Sequence, residues 1–326
     1  MAALTQTYDS LRRDIGRALF GGNKRDPVNW SADDIQDVAD ILRDGYSMFL
    51  VPQIESSQGI YQWNWQRPIQ TLTIWNTQTG TLSGAPVQQA NVSLVTALTG
   101  TFYETMVGKD LELTGGDYAV TSYISATQVL VAGNASGESG GSAWTVTADG
   151  DYQLPEEVVA INGKMTFQRS EISSRREIVP RDVLEILAER QVLASGSPMY
   201  FAFSPVSPFD ATVGQRWNAS FFPTPDRVYN LKYRPTLAPD VLTAVNKYAL
   251  GGFPYSRALK LACLACVELQ HSGAYGPNYQ AYGPALMSAV DHDRKGFTPE
   301  SVGPNLNMGP TSRFPRHDDG IAVTTG

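Results

Sequence analysis

The chain has 326 residues, 42% of them hydrophobic, which suits about two packed domains rather than one small domain or a disordered segment. A formal charge of −7 and only two cysteines argue against a protein whose main task is gripping nucleic acid and against a disulfide-stapled scaffold. No apolar run approaches the roughly 18 residues a bilayer span needs, and the opening MAALTQTYDSLRRD lacks the basic-then-apolar order of a signal peptide, so synthesis in the cytoplasm is expected.

The first fifty residues read as helical. Thr7 or Asp9 can cap a helix carrying Leu11, Ile15, Ala18 and Leu19 on one face, and Gly21-Gly22 stops it. After a basic, proline-containing link, Ser31-Ala32-Asp33-Asp34 opens a second helix with acids at the positive end of its dipole. Ile35, Val38, Leu42, Tyr46 and Phe49 form its apolar stripe, and Asp33, Asp37, Asp40 and Asp44 read as a solvated face.

From residue 53 to 167 the texture becomes β. Short Thr/Val-rich runs at 70–76, 91–98, 110–116, 118–124, 127–133 and 143–148 are separated by Gly, Asn and Ser, which predicts a small sandwich or barrel. GNASGESGGS (133–142) reads as a flexible loop or hairpin tip. Residues 51–170 hold ten acidic and four basic side chains, so this module has its own acidic surface.

Residues 177–196 are predicted to return to helix, with Pro180 in the first turn, Asp182 and Glu185 near its start, and Val183, Leu184 and Leu187 buried. MYFAF (199–203) begins a strand, and strands at 216–222 and 227–234 flank FFPTPD. Pro223 and Pro225 remove backbone donors there, so Asp226 reads as the corner of a β-hairpin. Helices at 255–271 and 278–291 follow, and beyond Lys295 the Gly/Pro-rich remainder reads as an arm. The expected fold is α+β: a helical-bundle core from 1–52 and 168–295, an inserted all-β module at 53–167, a β-hairpin, and an extended C-terminal arm at 296–326.

Three groupings invite a chemical reading. Cys263 and Cys266 sit inside an apolar helix, where they read as small buried hydrophobes; a zinc or redox site adding His271 is the alternative. Asp291-His292-Asp293 reads as a solvated helix end, because consecutive helical residues do not face one another. Tyr61, Trp63 and Trp65 read as interface anchors or core. No nucleotide-binding, metalloprotease or hydrolase motif is present, so neither an enzyme, a cofactor nor a metal is expected.

In their order, the phrases GYSMFLVP (45–52), VGKDLELTGGDYAVTSYISATQVLVAG (107–133), YQLPEEVVAINGKMTF (152–167), SGSPMYFAF (195–203), FFPTPDRVYNLKYRP (221–235), GGFPYSRALKLACLACVELQ (251–270) and DHDRK (291–295) resemble the head-to-tail adaptor (connector) proteins of tailed phages. The resemblance implies a virion protein of the neck, a ring expected to be dodecameric beneath the portal, with helices near 8–20, 31–49, 180–193, 255–270 and 278–293 in its wall. It implies the portal protein, neighbouring copies, and a tail nozzle or tail tube protein or tail fibres as partners, genomic DNA only as passing cargo, and no membrane. Arg294, Lys295, Phe297, Arg313, Phe314 and Arg316 become candidates for docking the portal or a neighbour, and Tyr61, Trp63 and Trp65 candidates for facing the tail or its fibres. Another tail-completion or fibre-attachment role is the alternative within the virion.

Overall fold

A computed structural model describes residues 5–20, 22–52, 61–168, 177–191, 194–206, 215–238 and 240–297. The chain forms two units: one combines Met1–Trp65 with Val241–Gly326, and the other is Gln66–Asp240. Five α-helices occur among the described residues: α1 (Tyr8–Leu19), α2 (Ala32–Leu50), α3 (Val183–Arg190), α4 (Ser256–Ser272) and α5 (Pro277–Phe297).

The helical unit holds four of them, and α4 packs against α1, α2 and α5. Thr7 caps α1 through a reciprocal pair with Ser10. Ser31 and Asp34 do the same for α2, and Lys24 adds an ion pair to Asp34 at 2.9 Å. The predicted stripe of α2 is buried at Val38, Leu42, Tyr46 and Phe49, whereas Ile35 is exposed. The turn between α4 and α5 is held by Glu268, whose carboxylate accepts from the backbone N–H groups of Gly276, Asn278 and Tyr279 at 2.9–3.2 Å. Partial desolvation works against this carboxylate, but those hydrogen bonds hold its pKa below the ordinary value. α5 then runs through Pro284 to Phe297, six residues past its predicted end.

The second unit is almost entirely β. Its first strands are β1 (Gln70–Ile74), β2 (Gln78–Leu82), β3 (Val87–Gln89), β4 (Val92–Thr99), β5 (Asp110–Leu113) and β6 (Gly116–Ser125). There follow β7 (Gln128–Ala132), β8 (Ala143–Val146), β9 (Asp151–Gln153), β10 (Val158–Ile161), β11 (Met165–Phe167) and β12 (Glu177–Pro180). The last are β13 (Ser195–Gly196), β14 (Tyr200–Pro205), β15 (Trp217–Phe222), β16 (Thr224–Pro225), β17 (Tyr229–Tyr233) and β18 (Pro235–Leu237).

One seven-stranded sheet runs β2-β8-β5-β6-β7-β4-β3, and β4 also pairs with β2, so the run closes into a barrel. Its interior is filled by alternate residues such as Val95, Leu111, Val129, Val131 and Val146. Trp144 lies across Phe102 with ring centres 4.6 Å apart. Gly80 and Gly100 make room for it: a Cβ on Gly80 would meet the Trp144 ring at 2.6 Å, and one on Gly100 at 2.4 Å.

The other seven-stranded sheet runs β1-β17-β11-β12-β14-β15-β9, antiparallel except for β12 beside β14. Strands far apart in sequence meet here, Leu72 opposite Leu231 and Ala219 opposite Tyr152. The two sheets share one core: Trp75 stands edge-on to Tyr152 at 5.4 Å, and its indole N–H donates to Thr105 at 3.0 Å.

This architecture corrects the expected helical-bundle core with an inserted β module and a separate hairpin. The protein is predominantly β, because the strands after residue 168 pair back onto β1, β9 and β11 rather than joining the helices. Residues 177–180 are a strand, paired in parallel with β14, and Pro180 closes that strand instead of opening a helix. Asp182 caps the short α3, which packs on β14 and β15, so it belongs to the β unit and not to the helical unit's wall. Its buried residue is Ile186, while Leu184 and Leu187 are exposed. The strands flanking FFPTPD are not hairpin partners: β14, β12 and β11 lie between β15 and β17. Asp226 therefore sits on a crossover, where it accepts the Tyr229 hydroxyl at 2.6 Å.

Candidate partner-binding surface

Helix α5 carries its buried residues at Tyr282, Leu286, Ala289, Val290 and Asp293. Those positions follow helical spacing, so the fully buried Asp293 belongs to the packed stripe and not to a solvated end as its sequence neighbours suggested. Its carboxylate accepts from the Tyr61 hydroxyl at 2.7 Å, the Asn64 backbone N–H at 2.9 Å and the Tyr255 hydroxyl at 3.2 Å. Burial, followed by the neighbouring carboxylate, raises the pKa of both phenols, that of Tyr255 to about 12. Both therefore remain donors throughout the neutral range.

This carboxylate orders the aromatic segment that the sequence offered as facing a tail or fibre. Trp63 is fully buried, donates to the Phe49 carbonyl at 3.0 Å, and packs edge-on against Tyr61 and Tyr255. Trp65 stacks on Trp63 with ring centres 5.7 Å apart. The segment is thus packing for the helical unit, and Trp63 offers no free face. The sequence signal for this role was the i, i+4, i+7, i+8, i+11 spacing that places Asp293 beneath Tyr282 and Leu286.

Arg294 and Lys295 lie exposed in the last turn of α5, where cations oppose the negative helix end. The Arg294 guanidinium sits 5.4 Å from the centre of the Tyr61 ring. Phe297 ends the helix. Arg313, Phe314 and Arg316 lie outside the described residues.

The cysteines point away from redox chemistry. A Cβ on Gly45 of α2 would lie 2.5 Å from the Cα of Cys263, so α2 and α4 touch at this place with Cys263 as a packing residue. Burial pushes both thiols up, that of Cys266 to about 11 with Asp44 adding to the effect, the opposite of an activated thiolate.

The helical unit also leaves apolar side chains uncovered. Val245 is 88% exposed, and Tyr248, Leu250 and Phe253 stand exposed on the same connecting segment. A hollow of about 550 Å3 lies between the end of α2 and the start of α5, lined by Met48, Val51, Tyr282 and Leu286, with Asp44 among its walls. Tyr275 and Tyr279, both partly exposed, also line it and stack with ring centres 4.0 Å apart. Exposed aromatic and aliphatic side chains such as these suit a protein partner that supplies apolar groups of its own.

No helix among the described residues is long and apolar enough to cross a membrane. Comparison with protein-family models gives no match, and comparison with curated proteins finds no similar sequence.

Proposed function

We propose that the chain is a structural protein of a phage neck, a ring beneath the portal that joins head to tail and lets DNA pass. The observation that carries this reading is the uncovered apolar surface of the helical unit, from Val245 to Phe253 and at Tyr275 and Tyr279. A monomer leaves such groups in water at a cost, whereas a subunit of an assembly buries them against its neighbours. The adaptor-like order of phrases from GYSMFLVP to DHDRK supports the same role.

The remaining features fit it. A net charge of −7 suits a channel that must pass DNA without holding it. Helices α1, α2, α4 and α5 are the candidates for the ring wall, and the β unit is the candidate for meeting a nozzle, tube or fibre protein. The portal protein and further copies of the chain are the partners expected at the helical unit. Quantitative mass spectrometry of purified particles tests the role: a copy number equal to that of the portal is expected, and absence of the chain from particles would overturn it.

A further inference from the structure

The hollow between the end of α2 and the start of α5 combines one carboxylate with aromatic walls. Asp44 is the single charged side chain in its lining; it is exposed and makes no hydrogen bond or ion pair among the described residues. Met48 and Leu286 supply apolar wall, and the Tyr275 and Tyr279 rings stand stacked beside them. The Tyr282 hydroxyl donates to the Met48 carbonyl at 3.1 Å, which fixes that ring in place. Fixed aromatic faces next to one acid suit a short segment carrying proline, an apolar ring and arginine. Proline and guanidinium both lie flat on tyrosine, and the carboxylate pairs with the cation.

Beyond α5 the chain contains one such segment, Arg313-Phe314-Pro315-Arg316. Phe314 is the only Phe, Tyr or Trp after residue 297, and Arg313 and Arg316 are the only arginines or lysines there. Residues 298–312 join this segment to α5. A linker of about 15 residues has a root-mean-square span of roughly 20 Å. At about 1.5 Å per helical residue, Tyr282 lies roughly 22 Å back along α5 from Phe297. A linker matched to its span gives the highest local concentration, so the segment meets the hollow of its own subunit before that of another copy.

We infer that residues 313–316 dock in this hollow on their own chain. Phe314 enters between Met48 and Leu286, Pro315 lies on the Tyr275–Tyr279 pair, and a flanking arginine pairs with Asp44. With a local concentration in the millimolar range, a contact this small is closed for roughly half of the time. A partner that takes this surface must displace the segment. The inference concerns the free chain and does not rest on the neck reading.

Photocrosslinking of the full chain tests this, with p-benzoylphenylalanine replacing Phe314 and mass spectrometry of the joined peptides. The main products should join position 314 to residues 44–51 or 275–286 of the same chain, in a yield unchanged by about tenfold dilution. Asp44→Lys, at an exposed position that leaves melting unaltered, should cut that yield about fivefold or more. Adding Arg313→Asp and Arg316→Asp to that variant should restore it. Products that join two chains, with a yield that falls on dilution, would overturn the inference and mark a contact between copies. Cross-links elsewhere, a yield indifferent to Asp44→Lys, or no restoration by the charge swap would overturn it too.

Discussion

The hydroxyl of Tyr61 donates to the carboxylate of Asp293 at 2.7 Å, across 232 residues of sequence. That bond joins the segment after α2 to the last turns of α5, so the two ends of the helical unit close on one buried acid. Asp293→Ala should cost about 3 kcal/mol, because it strands several donors that Asp293 now satisfies. Tyr61→Phe should cost about 1.5 kcal/mol. Thermal melting of both variants measures this, and equal stability of all three proteins would remove Asp293 from the account.

The contact between α2 and α4 makes a sharper prediction. An alanine at Gly45 would bring its Cβ within 2.5 Å of the Cα and 2.8 Å of the Sγ of Cys263. Although alanine favours helix by about 1 kcal/mol, forcing the helices apart should outweigh this and leave Gly45→Ala about 1–2 kcal/mol less stable. Gly45→Ala combined with Cys263→Ala should recover part of the loss, since the second change removes the thiol. A stabilised single variant would contradict the close approach.

Acid sensitivity should report on the start of α2. Hydrogen bonds from Lys24, then from Ser31, lower the Asp34 carboxyl from 3.8 to about 2. A carboxyl lowered on folding contributes stability that is present above its unfolded pKa and lost as pH falls through the folded one. Stability of the helical unit should therefore drop between pH 3.8 and about 2, and Asp34→Asn should be less stable at neutral pH with a shallower acid loss. A variant whose acid profile matches the parent would remove Asp34 from the account.

Much of this was legible locally. Thr7 and Ser31 announce α1 and α2 through short-range capping, and the Thr/Val runs between 91 and 148 announce five of the barrel strands, because hydrogen bonds over a few residues leave a pattern in sequence. In the second sheet the strands at 70–76, 199–203, 216–222 and 227–234 were legible, but their pairing was not. Its pairs, such as Leu72 with Leu231, join residues whose spacing carries no signal, and β12 is too short for its period to show. Asp226 misled for the same reason: two prolines and an aspartate mark a turn, but not whether the strands on either side are neighbours. In the candidate surface, Trp63 carried the right residue type for an anchor and the wrong environment, since its burial depends on Phe49 and Tyr255.

The residues beyond α5 supply a prediction about attachment. Ending the chain after Phe297 should leave circular dichroism and melting of both units unchanged, and should weaken binding to the portal protein, because Arg313, Phe314 and Arg316 are removed. Full portal binding by the shortened chain would move the docking role to Arg294, Lys295 and the exposed apolar surface.

The most direct test of the adaptor reading is native mass spectrometry of the purified full chain mixed with the portal protein of the same virus. The account predicts one assembly containing equal numbers of both chains, which Tyr248→Asp combined with Phe253→Asp should disrupt. Two proteins that remain separate in the mixture would contradict it.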